Sequence, residues 1–276
     1  MKPENHFKFI NSNALNNVAL LSATMSDFAY SRHAHEEYSI GVTMKGRQDF
    51  FCGQRFHKSP SGSVLVFNPE DIHDGHAGDN QGLEYIMLYI HPKILTPLFQ
   101  SMGHIGDHEL RFNDVLFDAP TLRHHIWTMA SLVQSKQVSH IEYESALYML
   151  AQSLIQHQGS FEPAYKKTRT DTLLMKAKSY IHDHLCHDIS VDDISLAANM
   201  SKYHFIRLFR AQFGITPHQY VLNCRINLAR QVMQDGFSAT HAAMASGFAD
   251  VSHLNRNFKK VFGMTPKQFQ LQWSTL

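Results

Sequence analysis

Cysteine is scarce in this chain: Cys52, Cys186 and Cys224 are the only three among 276 residues, an odd number set far apart. That excludes a disulfide framework and leaves no CxxC pair for a structural zinc. Long apolar runs are missing too. Nothing approaches the roughly 18 uncharged apolar residues that a membrane span needs, and no signal-peptide pattern opens the chain. A soluble protein of the reducing cytoplasm, with no membrane partner, is therefore expected. Glycine and proline are modest at 14 and 9 residues, which argues against fibrous and low-complexity classes. Charge of one sign is lacking as well, since 25 Lys plus Arg face 24 Asp plus Glu. What is abundant is apolar material: 43% of the residues, with 19 Phe and 10 Tyr, enough to fill two ordinary cores.

The near-zero net charge hides an asymmetry. Residues 1–170 carry 14 basic against 17 acidic side chains, whereas residues 171–276 carry 11 against 7, so the second part is the basic one. This is a weak pointer to an anionic partner.

Periodicity divides the chain in the same place. From Val18 to Ile90, short β-rich runs (VALLSATM, YSIGVTM, SVLVFNP, YIMLYI) alternate with Gly, Pro, Asn and Asp, the pattern of an all-β barrel or sandwich. From about Pro92 the period becomes helical. Leu122, Ile126, Met129 and Val133, then Ile141, Leu147, Leu150 and Leu154, predict two amphipathic helices. The stretch from Gln158 to Thr170 holds Gly, Pro, Ser and a basic cluster without periodicity, and reads as a linker. Everything after it reads as helix.

An internal repeat is the strongest signal. SKYHFIRLFRAQFGITPHQY at 201–220 aligns with DVSHLNRNFKKVFGMTPKQF at 250–269 at a constant offset of 49, with eight of twenty positions identical. Upstream of each block, VDDISLAANM and ATHAAMASGF align at an offset of 48. Each repeat is therefore helix, turn, helix. Ser195, Ala198, Ala243 and Ser246 permit close helix crossing, and Asn199 and Gly247 suit a turn residue of positive φ. Ser201 and Asp250 are the expected N-caps, Gly214 and Gly263 the expected stops, and Thr216-Pro217 and Thr265-Pro266 the starts of the following helices. Phe205, Leu208 and Phe209, with Leu254, Phe258 and Val261, form the apolar faces of the two second helices. Their polar faces carry Lys202, Tyr203, Arg207 and Arg210 in the first and Ser252, Asn255, Arg256 and Lys259 in the second. Between the repeats, Val221, Cys224, Leu228 and Val232 mark one continuous helix of about 26 Å at 1.5 Å per residue. Such a rod could hold two readers for successive major grooves, whose centres lie roughly 34 Å apart. A helical repeat without nucleic acid is the rival reading; the matched placement of Arg207 and Arg256, which packing does not require, weighs against it.

These residues resemble the DNA-binding domain of the AraC/XylS transcription regulators over about a hundred positions. The resemblance implies base or backbone contacts from Lys202, Tyr203, Arg207, Ser252, Asn255 and Arg256, and bending of the DNA; Arg210 and Lys259, on the same faces, are expected DNA contacts as well. The chain departs from the family pattern at Ala242, where a bulky aliphatic residue is usual before the Ala now at 243, and at Ile206, where a polar reader is frequent.

In the first half, SRHAHEEYSIGVTMKGRQDF and PSGSVLVFNPEDIHDG resemble the two halves of the small cupin barrel that serves many such regulators as a sensor. The resemblance implies a cavity lined by His33, His35, Glu37, Tyr38 and His73, suited to a small polar metabolite. Three imidazoles could in principle hold zinc. The position at which cupins supply a carboxylate is Ser39 here, however, so neither a metal nor any other cofactor is expected, and enzymatic redox chemistry is not either.

The expected architecture is thus an α+β chain of two domains. Residues 1–157 form a cupin-like effector-binding β-barrel with a helical dimerisation segment at about 120–157, 158–170 the linker, and 171–276 an all-α domain with two helix-turn-helix units. The expected function is sequence-specific transcription regulation, as an activator controlled by a small effector. Duplex DNA, the effector, a second copy of the chain and RNA polymerase are the expected partners. The alternative is an effector-independent DNA-binding protein whose barrel only dimerises.

Overall fold

Apolar residues at every second position build the strands of the first half, and the faces they define decide what each strand packs against. The computed structural model describes residues 4–11, 18–103, 110–135, 138–157 and 169–273. The strands are β1 (His6–Asn11), β2 (Val18–Met25), β3 (Ala29–His33), β4 (Tyr38–Lys45), β5 (Arg47–Cys52), β6 (Arg55–Pro60), β7 (Val64–Phe67), β8 (His73–Ala77) and β9 (Leu83–Ile90). Helix α1 (Pro92–Ser101), the short strand β10 (Leu116–Phe117), α2 (Pro120–Gln134) and α3 (His140–Gln156) follow. The strands form a six-stranded sheet, β1-β2-β9-β4-β7-β10, and a four-stranded sheet, β3-β8-β5-β6. Phe50 of β5 meets Phe67 of β7 edge-on at 5.3 Å, and Phe67 stacks on His73 of β8 at 4.1 Å, so the two sheets lie face to face. Among the described residues no strand is shared between the two ladders, so the expected barrel takes the form of two packed sheets.

Register assigns the faces of the large sheet. Leu20, Leu88, Ile40 and Val66 are successive cross-strand partners, and all belong to the core that Leu122, Ile126, Met129 and Val133 of α2 and Leu147, Leu150 and Leu154 of α3 complete. The neighbouring row, Leu21, Met87, Gly41 and Leu65, points the opposite way. Two expectations are corrected here. Helix α1, with Leu95 and Phe99 buried, adds a third helix to the two expected. Ile141, assigned to the buried face of α3, is 72% exposed.

The second half holds α4 (Arg169–Asp183), α5 (Val191–Ala197), α6 (Lys202–Phe213), α7 (Pro217–Gln234), α8 (Ala239–Ala245), α9 (Val251–Phe262) and α10 (Pro266–Trp273). Local chemistry sets the boundaries. Reciprocal capping boxes start α5 (Ser190 with Asp193) and α7 (Thr216 with Gln219), and Thr265 and Gln268 exchange the same bonds at α10. Gly214 and Gly263 end α6 and α9 in left-handed conformations, φ 75° and 74°. Helix α7 is continuous over 18 residues, about 27 Å at 1.5 Å per residue. Its burial differs from expectation: Leu228 and Val232 are half-buried, while Asn223, Asn227 and Arg230 lie inside, with the Arg230 guanidinium 5.8 Å from the Phe262 ring centre.

The chain divides into two compact units, residues 1–30, 34–161 and 272–276, and residues 31–33 with 162–271. Residues 31–33 end β3, which is hydrogen-bonded into the four-stranded sheet, and are described with that sheet. Of the expected linker, 158–168 lies outside the described residues, and residues 169 and 170 already belong to α4.

Candidate DNA-reading helices and effector chamber

Each half of the internal repeat folds into a first helix, a tight turn and a second helix, and the turns are the same to the level of single hydrogen bonds. After α5, Met200 N–H donates to Ser195 O at 2.9 Å and Asn199 N–H to Leu196 O at 2.9 Å; after α8, Phe248 N–H donates to Ala243 O at 2.9 Å and Gly247 N–H to Met244 O at 3.2 Å. These are paired 6→1 and 5→2 bonds, and they require a left-handed residue, Asn199 (φ 50°) in one turn and Gly247 (φ 76°) in the other. Ser195, Ala198, Ala243 and Ser246 are all buried at the crossings, as their small size led us to expect.

The second helices bury one face and present the other. Phe205 and Phe209 of α6, and Leu254, Phe258, Val261 and Phe262 of α9, are buried. Leu208 is only half-buried. On the opposite faces Lys202, Tyr203, Arg207, Arg210, Ser252, Arg256 and Lys259 are exposed and Asn255 is half-exposed, so all eight expected readers are accessible to a ligand in solution. The two faces are not electrostatically equivalent. Lys202 is held by Asp192 of the preceding helix at 2.7 Å, a hydrogen bond that raises its pKa, whereas the equivalent position of α9 is the uncharged Val251. Capping differs too. Asp250 accepts from His253 N–H at 2.6 Å, whereas the side chain of Ser201, expected to do the same, makes no capping bond.

In the first unit the structure brings three of the five expected chamber residues together. His33 ends β3, His35 follows two residues later and His73 opens β8; they are 4%, 4% and 7% exposed, and one ring nitrogen from each lies within 4.8 Å of the others. His33 Nδ1 lies 2.6 Å from Ser31 O and His73 Nδ1 lies 2.8 Å from Asp71 O. A carbonyl can only accept, so both rings carry their proton on Nδ1 when neutral. Burial holds His73 neutral, pushing its pKa down to about 4. His73 stacks on Phe67, and His35 meets Tyr89 edge-on at 4.9 Å.

Tyr38 does not join them. Its hydroxyl donates to Leu110 O at 2.5 Å and its ring meets Phe99 and Phe112, on the sheet face that packs against the helices. Alternation along β4 explains the correction: Ser39, the next residue, is the cross-strand partner of both Phe67 and Tyr89 and therefore shares the histidines' side of the sheet. Glu37 is half-buried in the turn before β4. Gln48 (4% exposed) escaped the sequence reading, and Ser39 (1% exposed) entered it only as the position of the missing cupin carboxylate; both are buried, and their Oε1 and Oγ have no hydrogen-bond partner among the described residues. Alternation was the available signal for Ser39: in YSIGVTM the polar Ser39 and Thr43 fall on one face of the strand, and Tyr38, Ile40 and Val42 on the other. Inside the same unit Tyr85 is hydrogen-bonded to Tyr30 and Thr43 to Ser59, each at 2.7 Å.

Comparison with known proteins agrees with this division. Residues 15–151 match the AraC-like ligand binding domain, and residues 194–272 match a helix-turn-helix domain. An uncharacterized HTH-type transcriptional regulator of Bacillus subtilis, YbfI, is 28% identical over 82% of this chain and 81% of its own length. The HTH-type transcriptional activator RhaS of Escherichia fergusonii is 23% identical over 88% of each chain. Among solved structures, ToxT of Vibrio cholerae, crystallised with an unsaturated fatty acid bound, superposes with a TM-score of 0.62 at 15% identity, covering 99% of both chains; this likeness is one of fold.

Proposed function

The chain belongs to the AraC/XylS family of transcriptional regulators, with a ligand-binding domain and a DNA-binding helix-turn-helix domain, and from that premise we propose that it is a cytoplasmic, effector-controlled activator that reads two half-sites per chain. The observation that carries this reading is the recurrence, 48 to 49 residues on, of the same hydrogen-bonded turn followed by an exposed helix face with Arg207 and Arg256 at matched positions. A recognition helix enters a major groove with such a face, phosphate contacts position it, and base contacts specify the sequence. Arg207 and Arg256 are assigned to bases, with Lys202, Tyr203, Arg210, Ser252, Asn255 and Lys259 around them on bases or backbone.

Control is assigned to the chamber between the two sheets. His33, His35 and His73, with Ser39 and Gln48, supply a few polar handles in an otherwise apolar interior, the usual composition of a small-molecule site. A second copy of the chain is assigned to α2 and α3. A groove of about 480 Å³ there is lined by His124, His125, Leu132, Ile141 and Met149, and the exposed Ile141 and Met149 are apolar surface that a dimer would cover. Effector binding then shifts how the two DNA-binding domains are presented, by a coupling of about 1–3 kcal/mol, and activation proceeds through RNA polymerase.

Binding of the purified protein to its own upstream DNA and to a random library, as a function of salt, tests the central reading. A preferred site of roughly 17–20 base pairs, with half-sites one helical turn apart, is expected. Absence of sequence preference at every salt concentration would leave only a helical interaction module. DNA affinity unchanged by any metabolite pool would leave a regulator whose sheets serve dimerisation alone. In the same assay Lys259→Ala is expected to weaken binding equally on all sequences and to lower the salt slope by about one.

A further inference from the structure

We propose that the Asp192 carboxylate competes with DNA phosphate for Lys202, so that the first helix-turn-helix unit limits its own affinity through an internal ion pair that the second unit lacks. This rests on α6 acting as a DNA-reading helix. Lys202 is the first residue of α6 and Asp192 the second of α5, and Lys202 Nζ lies 2.7 Å from Asp192 Oδ2. A lysine ammonium is a compact point charge that binds carboxylate and phosphate oxygens by the same charge-assisted hydrogen bond. Shared between the two, it neutralises each only in part. Opening the pair instead leaves an unneutralised carboxylate beside the reading face.

The packing of the two helices does not require this pair. Both side chains are largely solvated, 44% and 66% exposed, and exposed ion pairs contribute little to stability. The second unit makes the same turn bonds with Thr240 and Val251 at the positions of Asp192 and Lys202. Nor does α5 need Asp192 to start. The Asp193 carboxylate accepts from Ser190 N–H at 2.9 Å and from the Ser190 hydroxyl at 2.6 Å, and it supplies the negative charge that a helix N-terminus favours. Asp192 is thus an additional acid whose partner is a reader. The local charge balance follows from it and its neighbours. Residues 188–213 hold three acids, Asp188, Asp192 and Asp193, against the three bases Lys202, Arg207 and Arg210, whereas residues 236–262 hold Asp250 alone against Arg256, Lys259 and Lys260. The polyanionic duplex therefore attracts the second unit more strongly, and the first engages at the expense of its own ion pair.

The test uses the full chain and measures binding to a selected and to a random duplex across a salt series. Asp192→Asn is expected to bind roughly 2- to 5-fold more tightly at low salt on either duplex, with a salt slope steeper by up to about one. Its Tm should stay within about 2 °C of the unaltered chain, since helix packing does not depend on the pair. Adding Lys202→Gln should remove the gain and the steeper slope, and Lys202→Gln should cost less affinity in the unaltered chain than in Asp192→Asn. A gain that persists in full with Lys202→Gln would overturn the pair as its cause and leave only diffuse repulsion by Asp192. Should Asp192→Asn disturb folding, the second unit decides: Val251→Lys should tighten binding, and Thr240→Asp added to it should take most of that gain away. A gain that Thr240→Asp leaves intact would overturn the competition. Unchanged affinity and slope in Asp192→Asn would overturn this proposal alone, whereas a chain that binds no duplex at any salt concentration would overturn it together with the reading of α6 on which it rests.

Discussion

The two helix-turn-helix units reach one backbone by different residues. In the first, the left-handed turn position is Asn199, the N-cap side chain of Ser201 is unused, and Lys202 is tied to Asp192. In the second, the turn is Gly247, Asp250 caps its helix, and the position of the tied lysine is Val251. The turn bonds are conserved between the halves because they are local, closed within six residues. The variable positions are those with long-range neighbours. A Cβ at Gly247 would lie 2.7 Å from Leu185 O and about as close as 3.1 Å to the Arg225 side chain, which itself donates to Leu185 O and His187 O. The second turn is thus wedged against the end of α4.

The largest expected effect tests what the units share. Phe209 and Phe258 stand at equivalent positions, both fully buried among aromatic neighbours, and replacing either with alanine should cost about 3–5 kcal/mol in chemical unfolding. A cost below about 1 kcal/mol for one of them would show that the repeat is not equally packed. The second prediction separates the turns. Alanine at either turn position meets the left-handed penalty of about 1–2 kcal/mol, but Gly247→Ala must also displace Leu185 O, so it should destabilise clearly more than Asn199→Ala; equal Tm losses would refute the wedge. Third, Arg207→Ala and Arg256→Ala should each weaken specific binding by roughly 1–3 kcal/mol while barely affecting random DNA. Equal losses on both DNAs would demote that arginine from reader to phosphate contact. The smallest contrast concerns caps: Asp250→Ala should cost about 1 kcal/mol and Ser201→Ala less than about 0.5 kcal/mol, measured by thermal unfolding.

Much of the helical half was legible before any coordinates. The repeat, Gly214 and Gly263 as stops, Thr216 and Thr265 as starts and the exposed reader faces all follow from rules that act over three to six residues. Errors arose where a helix is surrounded. On α7, period alone pointed to Val221, Cys224, Leu228 and Val232, yet packing from several sides buries Asn223, Asn227 and Arg230 as well. In the strand-rich half, β2, β4, β7 and β9 were readable as apolar runs, while β5, β6 and β8 were not, because their sequences are mixed and their partners lie elsewhere in the chain. Tyr38 was placed with the histidines by proximity in sequence; a strand turns adjacent side chains to opposite faces, and the register of β4 against β7 and β9 sent Tyr38 to the helices and Ser39 to the chamber.

Composition and local pattern were therefore enough to predict two domains of different class, a tandem helix-turn-helix and its exposed polar faces, since those features rest on backbone hydrogen bonds and φ preferences between near neighbours. The chamber could not be settled in that way. His33 and His35 meet His73 across some forty residues of chain because two sheets pack face to face, and whether a residue lines the interior or the helical core depends on a strand register that long-range packing selects.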